Sequence, residues 1–126
     1  MQSLFEIIGK EEGIRKLVDR FYDLMKSKPE AKGILEMHPH DLSSSREKLF
    51  EFLGGWSGGP PLFEQKYGHP RLRMRHAPFA IGIKERDAWL LCMRQAINDT
   101  YNDSKIYDFL NEKFSHIADF MRNDEE

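Results

Sequence analysis

RMRHAPF, residues Arg73–Phe79, combines cations, one histidine and an apolar exit through a proline, with Arg71 two residues upstream. Pro78 ends any helix that carries His76, because proline lacks an N–H and its ring clashes with the preceding turn. The reading is therefore a short helix over residues 71–77. The chain before it is stranger. GGWSGGPP, residues 54–61, places four glycines and two prolines in eight positions, which ends any regular element. Residues 62–70 read as loop with at most one helical turn. Roughly 20 irregular residues rich in Gly, Pro and Arg thus separate two helical regions, whereas helix bundles prefer short connections. A connection of this kind is either functional or held in place by something bound.

The flanks are simpler. Ile14, Leu17, Val18, Phe21, Tyr22 and Met25 recur at helical spacing and predict an amphipathic helix over 11–27. Pro29 ends it, and PEAKGILEM (29–37) predicts a short helix that stops before Pro39. Ser44 followed by Glu47 has capping-box spacing and opens a helix with Leu49, Phe52, Leu53 and Trp56 on one face. Downstream, residues 84–101 predict a helix whose inner face is Ala88, Trp89, Cys92, Met93, Ala96 and Ile97. Its partner over 104–121 turns Ile106, Leu110, Phe114, Ile117 and Met121 inward. No window alternates with period two, and there is no repeat. The fold class is all-α, one domain over 1–126, with the NDEE tail (123–126) frayed.

Bulk properties narrow the function. At 126 residues roughly two thirds of the unfolded surface can be buried without staples. Nine Phe, four Tyr and two Trp are many for this length, and large rings line ligand pockets as well as cores. A net charge of −2 argues against a protein built to coat nucleic acid. One cysteine excludes an intramolecular disulfide, a Cys-rich zinc site and a Cys-held iron–sulfur cluster. No stretch reaches the roughly 20 apolar residues needed to span a bilayer, and MQSLFEIIGKEEG lacks the charged start and apolar run of a leader. We expect a soluble, cytoplasmic protein.

Three chemistries suit His76. It can close a helix end against terminal carbonyls. With Arg71, Arg73 and Arg75 it can form a phosphate or nucleic-acid patch, although Leu72 and Met74 between them offer no aromatic stacking. Or it can ligate a metal. Zinc wants more ligands, and no HxxxH or HExxH pair exists; His38-Pro39-His40 reads as a turn. Haem iron needs a single imidazole, because the porphyrin supplies the other in-plane nitrogens. Adjacent arginines would meet its propionates, and Phe79, Ile81 and Ile83 offer apolar surface. On the residues alone the three stay open.

GGPPLFEQKYGHPRLRMRHAPFAI (58–81), followed by ERDAWLLCM (85–93), closely resembles the truncated haemoglobins, specifically their group II branch. The Gly58-Gly59-Pro60 turn, Gly68-His69-Pro70, Arg75-His76-Ala77-Pro78-Phe79 and Asp87-Ala88-Trp89-Leu90 stand as the family pattern has them. VDRFYDLM (18–25) matches the family's second helix, and the resemblance covers nearly the whole chain.

The resemblance implies a two-over-two helical sandwich binding haem b, with His76 as proximal iron ligand. Tyr22 and Trp89 fall at distal positions. Ser45, Leu49, Phe52 and Leu53 fall along the distal helix, Ser45 facing the iron-bound ligand. Arg75 is the first expected propionate partner, with Arg73 or Lys66 second, and Phe79 is an apolar contact. His38 stands where relatives usually carry Tyr or Phe. It would donate to the ligand or bind iron as a sixth ligand, a role Tyr22 shares. The segment Lys26–His38 is also a few residues longer than usual. The implied function is binding of O2 and other diatomics such as CO and NO. Donors in a dry pocket stabilise the negative charge a bound ligand acquires. Slow O2 release follows, which suits scavenging, sensing or redox chemistry rather than bulk delivery. A peroxidase-like or nitric oxide- or nitrite-converting enzyme would use the same site. The expected partners are small ligands and an electron donor, not nucleic acid or membrane, on a monomer or weak dimer.

Overall fold

The computed structural model describes residues 2–123, and its regular elements are all helical. They are α1 (Leu4–Ile7), α2 (Lys10–Ser27), a 3-10 turn (Pro29–Ala31), α3 (Lys32–Glu36), α4 (Ser43–Trp56), α5 (Leu62–Tyr67), α6 (Leu72–His76), α7 (Ile83–Thr100) and α8 (Ser104–Phe120). α2 packs on both α4 and α7, and α7 packs on α8. The pair α2/α4 thus lies over the pair α7/α8, which is the two-over-two sandwich expected.

The long helices form where the apolar spacing put them, because each buries one stripe. Ile14, Val18, Phe21 and Met25 of α2 share a core with Cys92, Met93, Ala96 and Ile97 of α7, all at 0% exposure. Leu53 of α4 and Leu110 and Phe114 of α8 complete it. Each Val, Ile, Leu, Met or Phe among them contributes about 1.5–3 kcal/mol by leaving water. Ion pairs trim the outside: Arg46 of α4 reaches Asp19 at 3.0 Å and Asp23 at 2.7 Å on α2, and Arg20 of α2 reaches Asp99 of α7 at 2.6 Å. Exposed pairs of this type are worth under about 1 kcal/mol each, so the core dominates.

Helix starts differ from the sequence reading. The capping box expected at Ser44 and Glu47 does not form. Helix α4 begins at Ser43, whose N–H donates to Asp41 Oδ1 at 2.9 Å. Glu47 instead accepts from Arg15 of α2 at 3.0 Å, a charge-assisted bond that outcompetes a local one. A complete capping box forms at Ser3 and Glu6, opening α1, which the sequence reading left out. Helix α1 can lie against α2 because residue 13 is glycine. A Cβ there would stand 2.0 Å from the Ile8 carbonyl oxygen. That same oxygen accepts from the Tyr101 hydroxyl at 2.8 Å, tying the corner to the end of α7. Helix α8 is capped by Asp103, which accepts from Lys105 N–H at 2.9 Å. Asp103→Ala is expected to lower stability by about 1 kcal/mol, read by thermal or urea denaturation.

The irregular middle is more ordered than expected. Residues 62–70 hold a six-residue helix, α5, rather than loop. The cause is a carboxylate on α4, Glu51, only 1% exposed. It accepts from the Tyr67 hydroxyl at 3.1 Å and pairs with the Lys66 ammonium, drawing α5 onto α4. The C-terminal end differs too. Asn123, read as part of a frayed tail, is hydrogen-bonded into the chain after His76; residues 124–126 lie outside the described residues. Among the described residues no helix is long and apolar enough to cross a membrane.

Candidate functional site

Helix α2 sets Phe21 and Tyr22 side by side, their ring centroids 5.0 Å apart. Phe21 meets Trp89 of α7 edge-on at 5.2 Å, and Trp89 meets Phe114 of α8 at 6.0 Å. Trp56 of α4 stacks on Phe114 at 5.4 Å. At the opposite end His38 stands edge-on to Tyr22 at 5.8 Å. The 3-10 turn and α3 that follow α2 deliver that histidine. A continuous row of rings results: His38, Tyr22, Phe21, Trp89, Phe114, Trp56.

Three ring donors in the row, those of Tyr22, Trp89 and Trp56, have no protein acceptor among the described residues. Among the described residues, neither the Tyr22 hydroxyl nor the Trp89 indole N–H donates to a protein acceptor. Burial pushes the Tyr22 phenol up to about 12, while the nearby Arg46 guanidinium pulls weakly the other way. Tyr22 therefore keeps its proton, and its ability to donate, throughout the neutral range. His38 Nδ1 donates to the Ile34 carbonyl at 2.7 Å. A carbonyl only accepts, so Nδ1 carries the proton and the neutral ring keeps its lone pair on Nε2. Ser45 is half-buried in the first turn of α4, Leu49 and Phe52 are half-buried further along, and Leu53 is core.

His76 is the last residue of α6. Its Nδ1 donates to the Leu72 carbonyl at 2.7 Å, again leaving the Nε2 lone pair. This backbone anchor is what fixes the tautomer of a metal-ligating histidine. Five residues cannot sustain a helix by themselves, and Arg75 supplies the support. Its Nε and Nη2 donate to the carbonyls of Pro70, Tyr67 and His69, and its guanidinium lies 5.1 Å from the Phe63 ring centroid. Of the cations expected for propionates, Arg75 thus spends most of its donors on backbone carbonyls and has Nη1 left. Lys66 is diverted altogether, because the buried Glu51 carboxylate takes its ammonium. Arg73 lies over Phe120 at 5.5 Å and donates to the Arg122 carbonyl at 3.4 Å.

A cavity of about 530 Å³ opens between α4, α5, α6 and the end of α8. Phe52, Trp56, Phe63 and Leu72 give it apolar walls, and Arg71 and Arg73 add cations that outnumber the one carboxylate, Glu64. Its size and lining suit an apolar molecule carrying a few acidic groups. Arg71 and Arg73 face it while Arg75 turns back on the chain, so the three arginines do not gather into one phosphate patch. Leu72, whose carbonyl holds His76, lines the cavity; His76 itself does not. Phe79, expected against the macrocycle, lines an outer hollow with Arg73 and Asn123 and is 39% exposed. Its own N–H is spent on the His76 carbonyl at 3.0 Å, which turns the chain outward.

Among the described residues no three His, Cys, Asp or Glu side chains converge on a bare metal ion. A lone imidazole with a free Nε2 fits a metal that brings its remaining ligands with it, as haem iron does. The bacterial-like globin family model matches residues 3–123. The chain is 40% identical over 122 residues to "Group 2 truncated hemoglobin YjbI" of Bacillus subtilis, covering 97% of this chain and 89% of that relative. The chain belongs to the group II truncated haemoglobins. The group II 2-on-2 haemoglobin of Agrobacterium tumefaciens superposes with a TM-score of 0.95 at 42% identity, covering 99% of this chain and 97% of that one. The cold-adapted truncated haemoglobin of Pseudoalteromonas haloplanktis TAC125 gives 0.96 at 40% identity, covering 98% and 100%. Haem-based binding of diatomic ligands comes with membership of the globin family. Two contributors to this truncated haemoglobin's site escaped the sequence reading. Glu51 left a faint signal, a single charge inside LFEFL on α4, and Asn123 left none.

Proposed function

We propose that this truncated haemoglobin holds haem b through His76 Nε2 and binds O2 first among the diatomics, with Tyr22 and Trp89 as distal donors. The observation that carries this reading is that a phenol and an indole N–H, neither with a protein acceptor among the described residues, flank Phe21 in the row of rings. Haem, when bound, supplies an iron that takes small ligands and exchanges electrons. The residues supply the rest. His76 offers its lone pair because Leu72 holds the proton on the other ring nitrogen. Trp89 only donates, so it cannot compete for the metal. Tyr22 stays a phenol and offers its O–H as a second donor. In a pocket of low polarity such dipoles act far more strongly on developing negative charge than they do in water. Arg71 and Arg73 offer cations for carboxylates, with Arg75 Nη1 in reserve. Tight holding of the ligand favours scavenging, sensing or redox chemistry in the cytoplasm, with an external electron donor, over bulk O2 delivery.

The test is an absorbance spectrum of the protein loaded with hemin, ferric and then dithionite-reduced, with and without CO. A strong Soret band that shifts on adding CO is expected. No Soret band after hemin addition would overturn the assignment of His76. The tautomer of His38 adds a second expectation. With its Nε2 lone pair free, His38 can occupy the sixth iron site, so the ferric protein should show a low-spin share without added ligand. His38→Leu should remove that share; a purely high-spin spectrum in the unsubstituted protein would refute the role.

A further inference from the structure

Asn123, three residues past the end of α8, is bonded to the backbone that follows His76 on every side of its amide. Its Nδ2 donates to the Phe79 carbonyl at 2.8 Å and to the His76 carbonyl at 3.3 Å. Its Oδ1 accepts from the Ile81 N–H at 2.8 Å, and its own N–H donates to the Ile81 carbonyl at 2.9 Å. Asparagine suits this place because one short, planar group offers an acceptor and two donors. The end of α8 is itself anchored. Asp119 accepts from Arg86 of α7 at 2.8 Å and from Arg122 at 2.9 Å, and the Arg122 carbonyl accepts from Arg73 of α6. Besides the long bond from Arg73, helix α6 is therefore gripped twice. Arg75 ties it backward to α5, and Asn123 ties its exit forward to the α7/α8 pair.

We propose that Asn123 is a positioning residue for the proximal histidine: by fixing the His76 carbonyl and the turn to Ile81, it sets the angle at which the imidazole meets the iron and slows the escape of haem. The inference rests on His76 as the iron ligand. His76 is the one imidazole on α6. Without the Asn123 bonds, the exit of α6 would keep only the long 3.4 Å bond from Arg73 to the Arg122 carbonyl, and the ring would be free to rock about Arg75. A ligand bond responds to small changes in ring orientation, so the clasp acts on the metal without touching it.

The experiment compares the full-length, haem-loaded protein with Asn123→Ala and Asn123→Asp. Asp keeps the acceptor for Ile81 N–H but sets a carboxylate against two carbonyls. Two quantities are read: the iron–histidine stretching band of the ferrous protein by resonance Raman, and the rate of haem transfer to excess apomyoglobin. Both variants should shift or broaden the band and speed transfer by roughly tenfold, the loss expected when one or two hydrogen bonds go. Asp103→Ala, which weakens the far end of α8, serves as the control for simple loosening. It should lower the melting temperature and leave the band in place. An unchanged band and transfer rate in both Asn123 variants would overturn the proposal, as would an equal shift in Asp103→Ala. If the unsubstituted protein gives no Soret band with hemin, the assignment of His76 has failed rather than the clasp.

Discussion

His76→Gly is expected to abolish stable haem retention, with added imidazole restoring it. The substitution removes the one ring whose Nε2 lone pair is released by a backbone anchor on α6, the Leu72 carbonyl at 2.7 Å. Loss of a residue that merely orients a ligating histidine costs 10–100-fold in metal affinity, so loss of the histidine itself should cost more than roughly 100-fold. The sandwich should survive, because the buried residues of α2, α4, α7 and α8 form its core and His76 is not among them. Far-UV circular dichroism of the apo protein should therefore match that of the parent. Hemin titration followed in the Soret region gives the affinity, and free imidazole diffusing into the vacated space should recover the band. A His76→Gly protein that took up hemin with the parent's spectrum and affinity would show that another residue ligates.

Trp89→Phe should speed O2 dissociation by about 10- to 100-fold. A hydrogen bond to a charged group is worth about 1.5–3 kcal/mol, which spans that range. Phenylalanine keeps the edge contacts to Phe21 and Phe114, so the donor is lost with little loss of packing. CO separates the two effects, since it draws much less charge on binding. Its dissociation should change far less, whereas a packing defect would alter both gases alike. Combined with Tyr22→Phe the losses should not add, because both donors serve one ligand and each partly covers for the other. An O2 dissociation rate that Trp89→Phe leaves unchanged would remove the indole from the mechanism. Flash photolysis and stopped-flow mixing give both rates.

How much of this was legible in the sequence depends on where each element finds its partners. Helices α2, α7 and α8 each carry a long apolar stripe at one period, and their boundaries fall within a residue or so of expectation. His76, Tyr22 and Trp89 stood out through a motif, not through spacing. Helix α5 was hidden because its stability lies outside itself, in a carboxylate on α4 that no local pattern within residues 62–67 announces. The start of α4 moved because Asp41 reached the helix N–H first and Arg15 claimed Glu47 from another helix. The arginines show the limit most clearly. RMR beside a histidine reads as free positive charge, yet Arg75 is a brace for backbone carbonyls whose nearness only the folded chain creates. Asn123 sat among acidic tail residues and gave no sign of the turn it holds.

The row of rings has an optical consequence. The chain has two tryptophans, and both rest against Phe114 in that row. A porphyrin absorbs strongly where indole emits, so haem held beside them drains their excitation before it can leave as light. No distant third tryptophan dilutes the signal. Ultraviolet-excited emission should be faint in the loaded protein and brighten in proportion as the pigment departs, so the molecule carries its own gauge of occupancy.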